Sequence, residues 1–296
     1  MKRIPLILIS FLLLLSISGC AAQVQPAQIA ATTLPVYEFS VRICEGTGIS
    51  VTRLVTESVS CLHDYSLNVS QVRAAEAAEL IVISGAGMED FMADLLESRP
   101  VVDCSAGIDL MESSHDHNHE EEEHDHEGHH HEEDPHIWLS PANAKIMAKN
   151  ICTGLSTRYP EHREIFQQNL EFLLIDLDKL QAYGKEQLAD LNCRELITFH
   201  DGFAYLAQSF DLTILEAVEE ESGSEASAAE LKHMIKEVRY HNLPAIFTEV
   251  LGSVSAAQII AAETGVNVYP LDMAMQGESY FDAMYRNINT LKEALG

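Results

Sequence analysis

The sequence predicts an α/β fold of two βα lobes with mostly parallel sheets, joined by a long rigid helix. Short apolar β-type runs alternate with helical stretches over residues 28–111 and again over residues 193–296. Alternation at this spacing is typical of parallel βα units. Between the two regions, residues 161–192 carry apolar side chains at three- and four-residue steps, which is the periodicity of a helix.

The N-terminal lobe, residues 28–111, contains four β-type runs separated by three helical stretches. The β-type runs are QIAATT, ISVTRLV, ELIVISG and VVDCSA, and the helical stretches are VYEFSVRICEG, VSQVRAAEAA and MEDFMADLLES. The C-terminal lobe, residues 193–296, has the same alternation from RELITFH to a final helix between about Ser279 and Leu295. A chain of 296 residues is long enough to bury two such cores.

The linker helix is expected within residues 161–192, from about Glu161 to Asp190. About thirty helical residues would span roughly 45 Å, which exceeds most helices of a compact domain and suits a stiff connection. Gly184 is expected to interrupt this helix near its end.

An acidic, histidine-rich segment, residues 112–134, separates the first lobe from the helices. It contains eight histidines, no Lys or Arg and no apolar side chain, so it cannot contribute to a core. We therefore expect a mobile, solvated loop. Residues 135–160 follow. They contain the string PHIWLSP, which Asp134 precedes, and a helical pattern that ends at Tyr159-Pro160.

The first twenty residues have the layout of an export signal. Lys2 and Arg3 precede an apolar run of roughly 14 residues, which is short for a membrane span, and small residues lead to Cys20. A cysteine in this position resembles the bacterial lipobox, in which the cysteine is lipidated. We expect a signal over residues 1–20, a polar tether over residues 21–27, and a chain anchored through Cys20 to the outer face of the bacterial cytoplasmic membrane. The alternative is an ordinary signal peptide with a chance cysteine.

Charge and cysteine content restrict the function further. The formal net charge is −28 with only 18 Lys and Arg, which argues against a nucleic-acid partner and favours cations. Five cysteines follow Cys20, and an odd number leaves at least one thiol outside any intramolecular pair. Their spacing matches no CxxC metal motif, and it leaves the pairing open. They are Cys44, Cys61, Cys104, Cys152 and Cys193.

Six of the fourteen histidines lie outside the acidic segment, and three of the six lie at the ends of predicted elements. His63 follows a strand-like run, His136 lies between two prolines beside the only tryptophan, and His200 follows the apolar strand LITF. Ligands of open α/β sheets bind at the carboxyl ends of strands, so these three are the candidate ligands. The others, expected on solvated helical faces, are His162, His233 and His241.

Several strings of the sequence resemble one family of receptors. They are SGAGMEDFMADLL, DPHIWLSP, TFHDGFAYLAQSFDL, EVLGS and LDMAMQ, together with His63-Asp64-Tyr65. They are similar to the metal-binding lipoproteins of bacterial zinc and manganese ABC importers, the cluster A-I substrate-binding proteins, over the whole mature chain. The resemblance implies a metal in the cleft between two lobes joined by a long rigid helix. It also implies a permease and an ATPase as partners, and we expect a monomer.

The resemblance implies a ligand set as well. His63, His136 and His200 fall on the family's ligand positions, and Asp272 in YPLD occupies the place of the fourth ligand. Glu249 in IFTEV is the second candidate for that place, and water is the third. Three imidazoles and a carboxylate suit tetrahedral zinc, whereas manganese prefers more oxygen ligands. Manganese-binding relatives carry an acid where His200 stands, so the expected cargo is Zn²⁺.

The acidic segment resembles the His-rich insertion of zinc-binding members of that family. Its histidines are expected to hold several cations weakly, as an accessory store, and the alternative is a soluble spacer. They are His115, His117, His119, His124, His126, His129, His130 and His131.

Three other functions compete with a zinc receptor. A manganese or iron receptor of the same family is one, and an adhesin-type surface lipoprotein is another, although no adhesive repeat is present. The third is a zinc hydrolase. The sequence contains no GxSxG, P-loop or GxGxxG motif, so no enzymatic activity is expected.

Overall fold

The computed structural model describes residues 27–57, 62, 65–112, 133–219 and 226–296. Several residues singled out in the sequence lie outside these ranges: Cys20, Cys61, His63 and the eight histidines of the acidic segment.

Two four-stranded sheets form the two lobes, and both have the same strand order. The first lobe contains β1 (Ile29–Ala31), β2 (Val51–Arg53), β3 (Leu80–Ile83) and β4 (Val101–Asp103). The second contains β5 (Glu195–His200), β6 (Thr213–Glu219), β7 (Ala245–Glu249) and β8 (Asn267–Leu271). The orders are β2-β1-β3-β4 and β6-β5-β7-β8, and every pair of these strands is parallel. The predicted two-lobed α/β class is confirmed, while the predicted domain boundaries stay predictions.

Nine α-helices connect and cover these strands within the described ranges. They are α1 (Leu34–Cys44), α2 (Val69–Ala77), α3 (Ala93–Glu97), α4 (Pro141–Arg158), α5 (Arg163–Gln187), α6 (Ala204–Ser209), α7 (Ala228–Tyr240), α8 (Ser255–Thr264) and α9 (Tyr280–Leu295). Three 3-10 turns accompany them, at Asp90–Met92, Ile137–Leu139 and Pro160–His162.

Capping residues define the N-termini of two of these helices, α4 and α7. Ser140 accepts a hydrogen bond from the backbone N–H of Asn143, and Pro141 occupies the first turn, where its missing N–H costs nothing. Ser227 and Glu230 form a reciprocal capping box at the start of α7. These caps satisfy N–H groups that have no partner inside the helix.

The linker helix α5 has 25 residues, from Arg163 to Gln187, which corresponds to about 37 Å. It is shorter than the predicted helix at both ends, because Glu161 and His162 belong to the 3-10 turn Pro160–His162 and the helix ends at Gln187, before Asp190. The expectation that Gly184 interrupts the helix is wrong, since the helix continues through it. A Cβ on Gly184 would lie 2.2 Å from Cε1 of Phe210, so glycine here permits close packing against the second lobe.

The helix α5 is bound to both lobes. The side-chain amide of Asn169 donates to the carbonyl oxygens of Ile43 and Glu45 in the first lobe, at 3.0 and 2.9 Å. The hydroxyl of Tyr183 donates to Oδ1 of Asn289 in the second lobe, at 2.6 Å. Both ends of the linker are therefore fixed by polar contacts as well as by the core.

Four cysteines lie in the described ranges, and all four are free thiols. Cys44, Cys104 and Cys152 are buried, and burial raises the pKa of Cys44 to about 12. None of the helices in the described ranges is both long and apolar enough to cross a membrane.

Candidate metal centre

Two adjacent strands of the second lobe end in a histidine and a glutamate. His200 is the last residue of β5 and Glu249 the last of β7. The register pairs Thr198 with Phe247, two residues earlier in each strand, so the two terminal side chains are neighbours. Nδ1 of His200 lies 3.5 Å from Oε1 of Glu249. Each residue is only 4% exposed, so an imidazole and a carboxylate meet in a site largely shielded from water.

His136 enters the same region from the segment that precedes α4. Oδ1 of Asp134 accepts from the backbone N–H of His136 at 2.9 Å and lies 2.8 Å from its Nδ1. Both residues are 3% exposed. A carboxylate on one ring nitrogen fixes the orientation and tautomer of an imidazole, as is usual behind metal-binding histidines. This role of Asp134 was not predicted from the sequence, although the spacing in Asp-Pro-His was its signal.

The imidazole rings of His136 and His200 pack edge to face. Their centroids are 5.2 Å apart at an interplanar angle of 88°. Gly202 makes this approach possible, because a Cβ there would lie 2.8 Å from Cδ2 of His200 and 3.0 Å from Cε1 of His136. The structure therefore brings together two of the three predicted histidines, while the third, His63, lies outside the described residues.

Two aromatic side chains hold the segment that carries His136. The hydroxyl of Tyr205 donates to the carbonyl oxygen of Asp134 at 3.1 Å and accepts from the N–H of Met111 at 2.9 Å. Trp138 donates from Nε1 to the carbonyl oxygen of Met273 at 2.7 Å. These contacts join the first lobe, the His136 segment and the second lobe around the histidine pair.

Asp272, the predicted fourth ligand, follows β8 and is bound to groups of its own lobe. Its Oδ2 accepts from Nη2 of Arg286 at 2.9 Å, and its Oδ1 accepts from the N–H of Ala274 at 2.8 Å. It lines the same cavity as Glu249, of about 190 Å³. Glu249, the other carboxylate considered for the fourth place, contacts the ring of His200.

The three histidines expected on solvated helical faces have other contacts. Nε2 of His233 lies 2.7 Å from Glu216, and its side chain is 50% exposed. His241 is less exposed than expected, at 24%, because its Nδ1 lies 2.9 Å from Glu195. The ring of His162 packs against Phe166 with centroids 6.0 Å apart.

No group of three or more His, Cys, Asp or Glu side chains is arranged to hold a metal within the described ranges. Those ranges contain the two histidines and the carboxylates described above, but they do not include His63. The described part of the centre is thus a buried histidine pair with Asp134 behind one ring and Glu249 beside the other.

The chain is similar to proteins of zinc uptake. It is 30% identical over 280 residues to the high-affinity zinc uptake system protein ZnuA of Bacillus subtilis, covering 90% of this chain and 87% of that protein. It is 30% identical over 315 residues to the zinc-binding lipoprotein AdcA of Streptococcus pneumoniae strain R6, covering 99% of this chain. The chain spans only 61% of the length of AdcA.

Solved structures agree with these similarities. A crystal structure of ZnuA superposes with a TM-score of 0.77 at 27% identity, covering 91% of this chain and all of the other. Zn(II)-bound AdcA from Streptococcus pneumoniae superposes with a TM-score of 0.73 at 26% identity, covering 90% of this chain and 57% of the other. The family model ZnuA, zinc-uptake complex component A, periplasmic, matches residues 29–294. The chain therefore belongs to the ZnuA family of solute-binding receptors.

Proposed function

We propose that this chain is an extracytoplasmic receptor that binds Zn²⁺ and delivers it to an ABC importer. The observation that carries the proposal is the buried edge-to-face pair of His136 and His200 with Glu249 beside it. Imidazole and carboxylate are among the ligands that zinc takes in proteins, and the shielded position at the strand ends is typical of ligand sites in α/β sheets. The zinc-binding names of the relatives support the same cargo.

The proposed ligands are His63, His136, His200 and one carboxylate. Asp272 is the carboxylate implied by the family resemblance, and Glu249 is the one supported by its contact with His200. The ion pair of Asp272 with Arg286 would have to open, or to share an oxygen, for that residue to bind the metal. In this proposal Asp134 orients the ring of His136 and Nε2 coordinates the metal.

The remaining parts of the proposal concern location, partners and chemistry. The chain is lipidated at Cys20 and lies at the outer face of the cytoplasmic membrane, as a monomer that binds no nucleic acid. Its partners are a permease and an ATPase, and it catalyses no reaction. The eight histidines of the acidic segment hold additional cations as an accessory store and do not form the transported site.

The central test is metal analysis of the soluble chain, residues 21–296, with residues 113–132 deleted to remove the accessory histidines. We expect about one zinc per chain. Simultaneous alanine substitution of the three proposed ligands, His63, His136 and His200, should abolish this zinc. A matched variant with alanine at the other three histidines should retain it; these are His162, His233 and His241. Zinc retained by the first variant would refute the proposed site.

Competition between metals tests the manganese alternative. Zinc should displace manganese from the loop-deleted chain, because the described ligands include two imidazoles and manganese favours a site richer in oxygen. The zinc affinity should also fall as the pH drops through about 6.5, since protons compete for neutral imidazole. An affinity that stays constant from about pH 7.5 to 5.5 would count against a histidine-based site.

A further inference from the structure

The segment between β8 and α9, residues 272–279, lies against the histidine pair at one end. The carbonyl oxygen of Met273 accepts the hydrogen bond from Trp138. A Cβ added to Gly202 would lie 2.5 Å from the terminal methyl carbon of Met273. The same Cβ would lie 2.8 Å from the ring of His200 and 3.0 Å from the ring of His136, so these three side chains surround Gly202. A displacement of Met273 would therefore remove a neighbour that packs beside both histidines.

The other end of this segment is fastened to the first lobe. Nη1 of Arg53, the last residue of β2, donates to the carbonyl oxygen of Gly277 at 3.0 Å. The guanidinium lies over the ring of Tyr37, with Cζ 5.9 Å from the ring centroid. Since 224 positions separate Arg53 from Gly277, this hydrogen bond joins the two lobes directly.

Gly277 also lies between two cavities. It lines the cavity of about 190 Å³ that contains Glu249 and Asp272, and it lines a groove of about 410 Å³ that contains Tyr37 and Arg53. The segment that Arg53 holds thus contributes Gly277 both to the cavity beside the candidate ligands and to the neighbouring groove. If the hydrogen bond opens, the segment has a neighbouring groove into which it can move.

Two residues of the segment have left-handed backbone conformations. Ala274 has φ +55° and Gly277 has φ +83°, both in the left-handed region. Glycine adopts this region at little cost, whereas alanine requires support from its surroundings. The N–H of Ala274 receives that support from Asp272, and the Gly277 carbonyl receives it from Arg53.

We propose that Arg53 is a positioning residue that fastens residues 272–279 across the cleft and thereby slows release of the metal. This inference rests on the proposed zinc-receptor function. Arg53 does not bind the metal itself; it acts through Gly277 and Met273 on the packing beside His136 and His200.

The test compares Arg53→Ala and Arg53→Lys with the wild-type chain in the loop-deleted soluble form. Zinc release into an excess of chelator should be about fivefold faster in Arg53→Ala, the size expected for loss of one partly exposed hydrogen bond. Arg53→Lys should restore part of the slow release, because lysine keeps a charged donor without the planar guanidinium. The matched control is Arg239→Ala. Like Arg53, Arg239 donates a hydrogen bond to a backbone carbonyl, in this case from its Nη2 to Glu263, but both residues lie within the second lobe. Its release rate should be that of the wild type.

Hydrogen exchange of the metal-free chain tests the fastening without zinc. Amides of residues 273–279 should exchange faster in Arg53→Ala than in the wild type and the Arg239→Ala control. Unchanged exchange, or release rates equal in all the variants, would refute the role of Arg53. Failure of the wild-type chain to bind zinc would refute the proposed function, and the exchange measurement would still decide whether Arg53 holds the segment.

Discussion

The two lobes have the same strand order, yet the polar groups at the ends of equivalent strands differ. In the second lobe, His200 and Glu249 end the adjacent strands β5 and β7. In the first lobe, Thr32 follows β1, and its hydroxyl donates to Oε1 of Glu89 at 2.5 Å. The backbone N–H groups of Ser84 and Gly85, which follow β3, donate to the same carboxylate at 2.8 and 2.9 Å.

The neighbouring groups show that Glu89 of the first lobe is a structural carboxylate, whereas Glu249 of the second lobe is a candidate ligand. Glu89 is 3% exposed and receives one hydroxyl and two amide donors from its own lobe, so its hydrogen bonds stabilise the turn after β3. Glu249 is equally buried but lies beside an imidazole at the cleft. Burial alone therefore does not identify a metal site in this fold, and the chemical nature of the neighbouring groups does.

The largest expected effect comes from alanine substitution of the polar residues at the equivalent ends of β5 and β1, His200 and Thr32. His200→Ala should lower the zinc affinity more than about 100-fold, because loss of a direct ligand exceeds the loss typical of an outer-shell partner. Thr32→Ala should destabilise the fold by about 1–3 kcal/mol by removing a donor from a buried carboxylate. Calorimetric zinc titration and chemical denaturation of both variants measure the two effects.

Each variant is the control for the other. Thr32→Ala should keep its zinc affinity within about twofold, since it removes no proposed ligand. A large loss of zinc affinity in Thr32→Ala would show that the first-lobe cluster also belongs to the metal centre and that the distinction between the lobes is wrong.

Titration of Glu89 provides the next largest effect. Burial raises the pKa of Glu89 from 4.5 to about 7, although its three hydrogen bonds act in the opposite direction. The unfolded chain loses this proton near its ordinary pKa, whereas the folded chain keeps it until about pH 7. The wild type should therefore lose stability relative to Glu89→Gln as the pH rises from about 4.5 to 7, by about 3 kcal/mol in total.

Denaturant unfolding of the wild type and Glu89→Gln at several pH values measures this difference. Subtraction of the two curves removes the contributions of all other titrating groups that the variants share. A difference that does not change between about pH 4 and 8 would show that Glu89 has the same pKa in the folded and the unfolded chain, at variance with its burial.

The smallest expected effect decides between the two carboxylates near the cleft. Glu249→Gln should lower the zinc affinity about tenfold or more, because Glu249 lies beside His200. Asp272→Asn should have a smaller effect, since both carboxylate oxygens of Asp272 already accept hydrogen bonds from its own lobe. Zinc titration of the two isosteric variants gives the comparison directly. A larger loss in Asp272→Asn would assign the fourth ligand to Asp272, as the family resemblance implies.

The fold could be predicted from the sequence because its signals are local. Apolar runs such as LIVI and AIFTE became central strands, and the three- and four-residue periodicity located the linker helix. Gly184 was misjudged because the helix propensity of glycine is local, whereas its contact with Phe210 joins distant parts of the chain. The 3-10 turn at Pro160–His162 likewise depends on how the chain reverses between two packed helices.

The candidate site could be predicted in part. His136 and His200 were identified from their places at the ends of elements, and the structure brings them together. The pairing of Asp272 with Arg286, 14 residues later on α9, could not be predicted from the sequence pattern. The contact of His200 with Glu249 depends on the register between β5 and β7, which the strand sequences alone do not define.

The linker helix also determines how the chain unfolds. Val82 of the first sheet, Leu173 of α5 and Leu291 of α9 belong to one continuous hydrophobic core. Two lobes that share a core cannot separate without exposing apolar surface of both, so they are expected to melt in one cooperative transition instead of two. Metal bound at the strand ends of the second lobe would then raise the melting temperature of the first lobe as well, because ligand binding stabilises the whole cooperative unit.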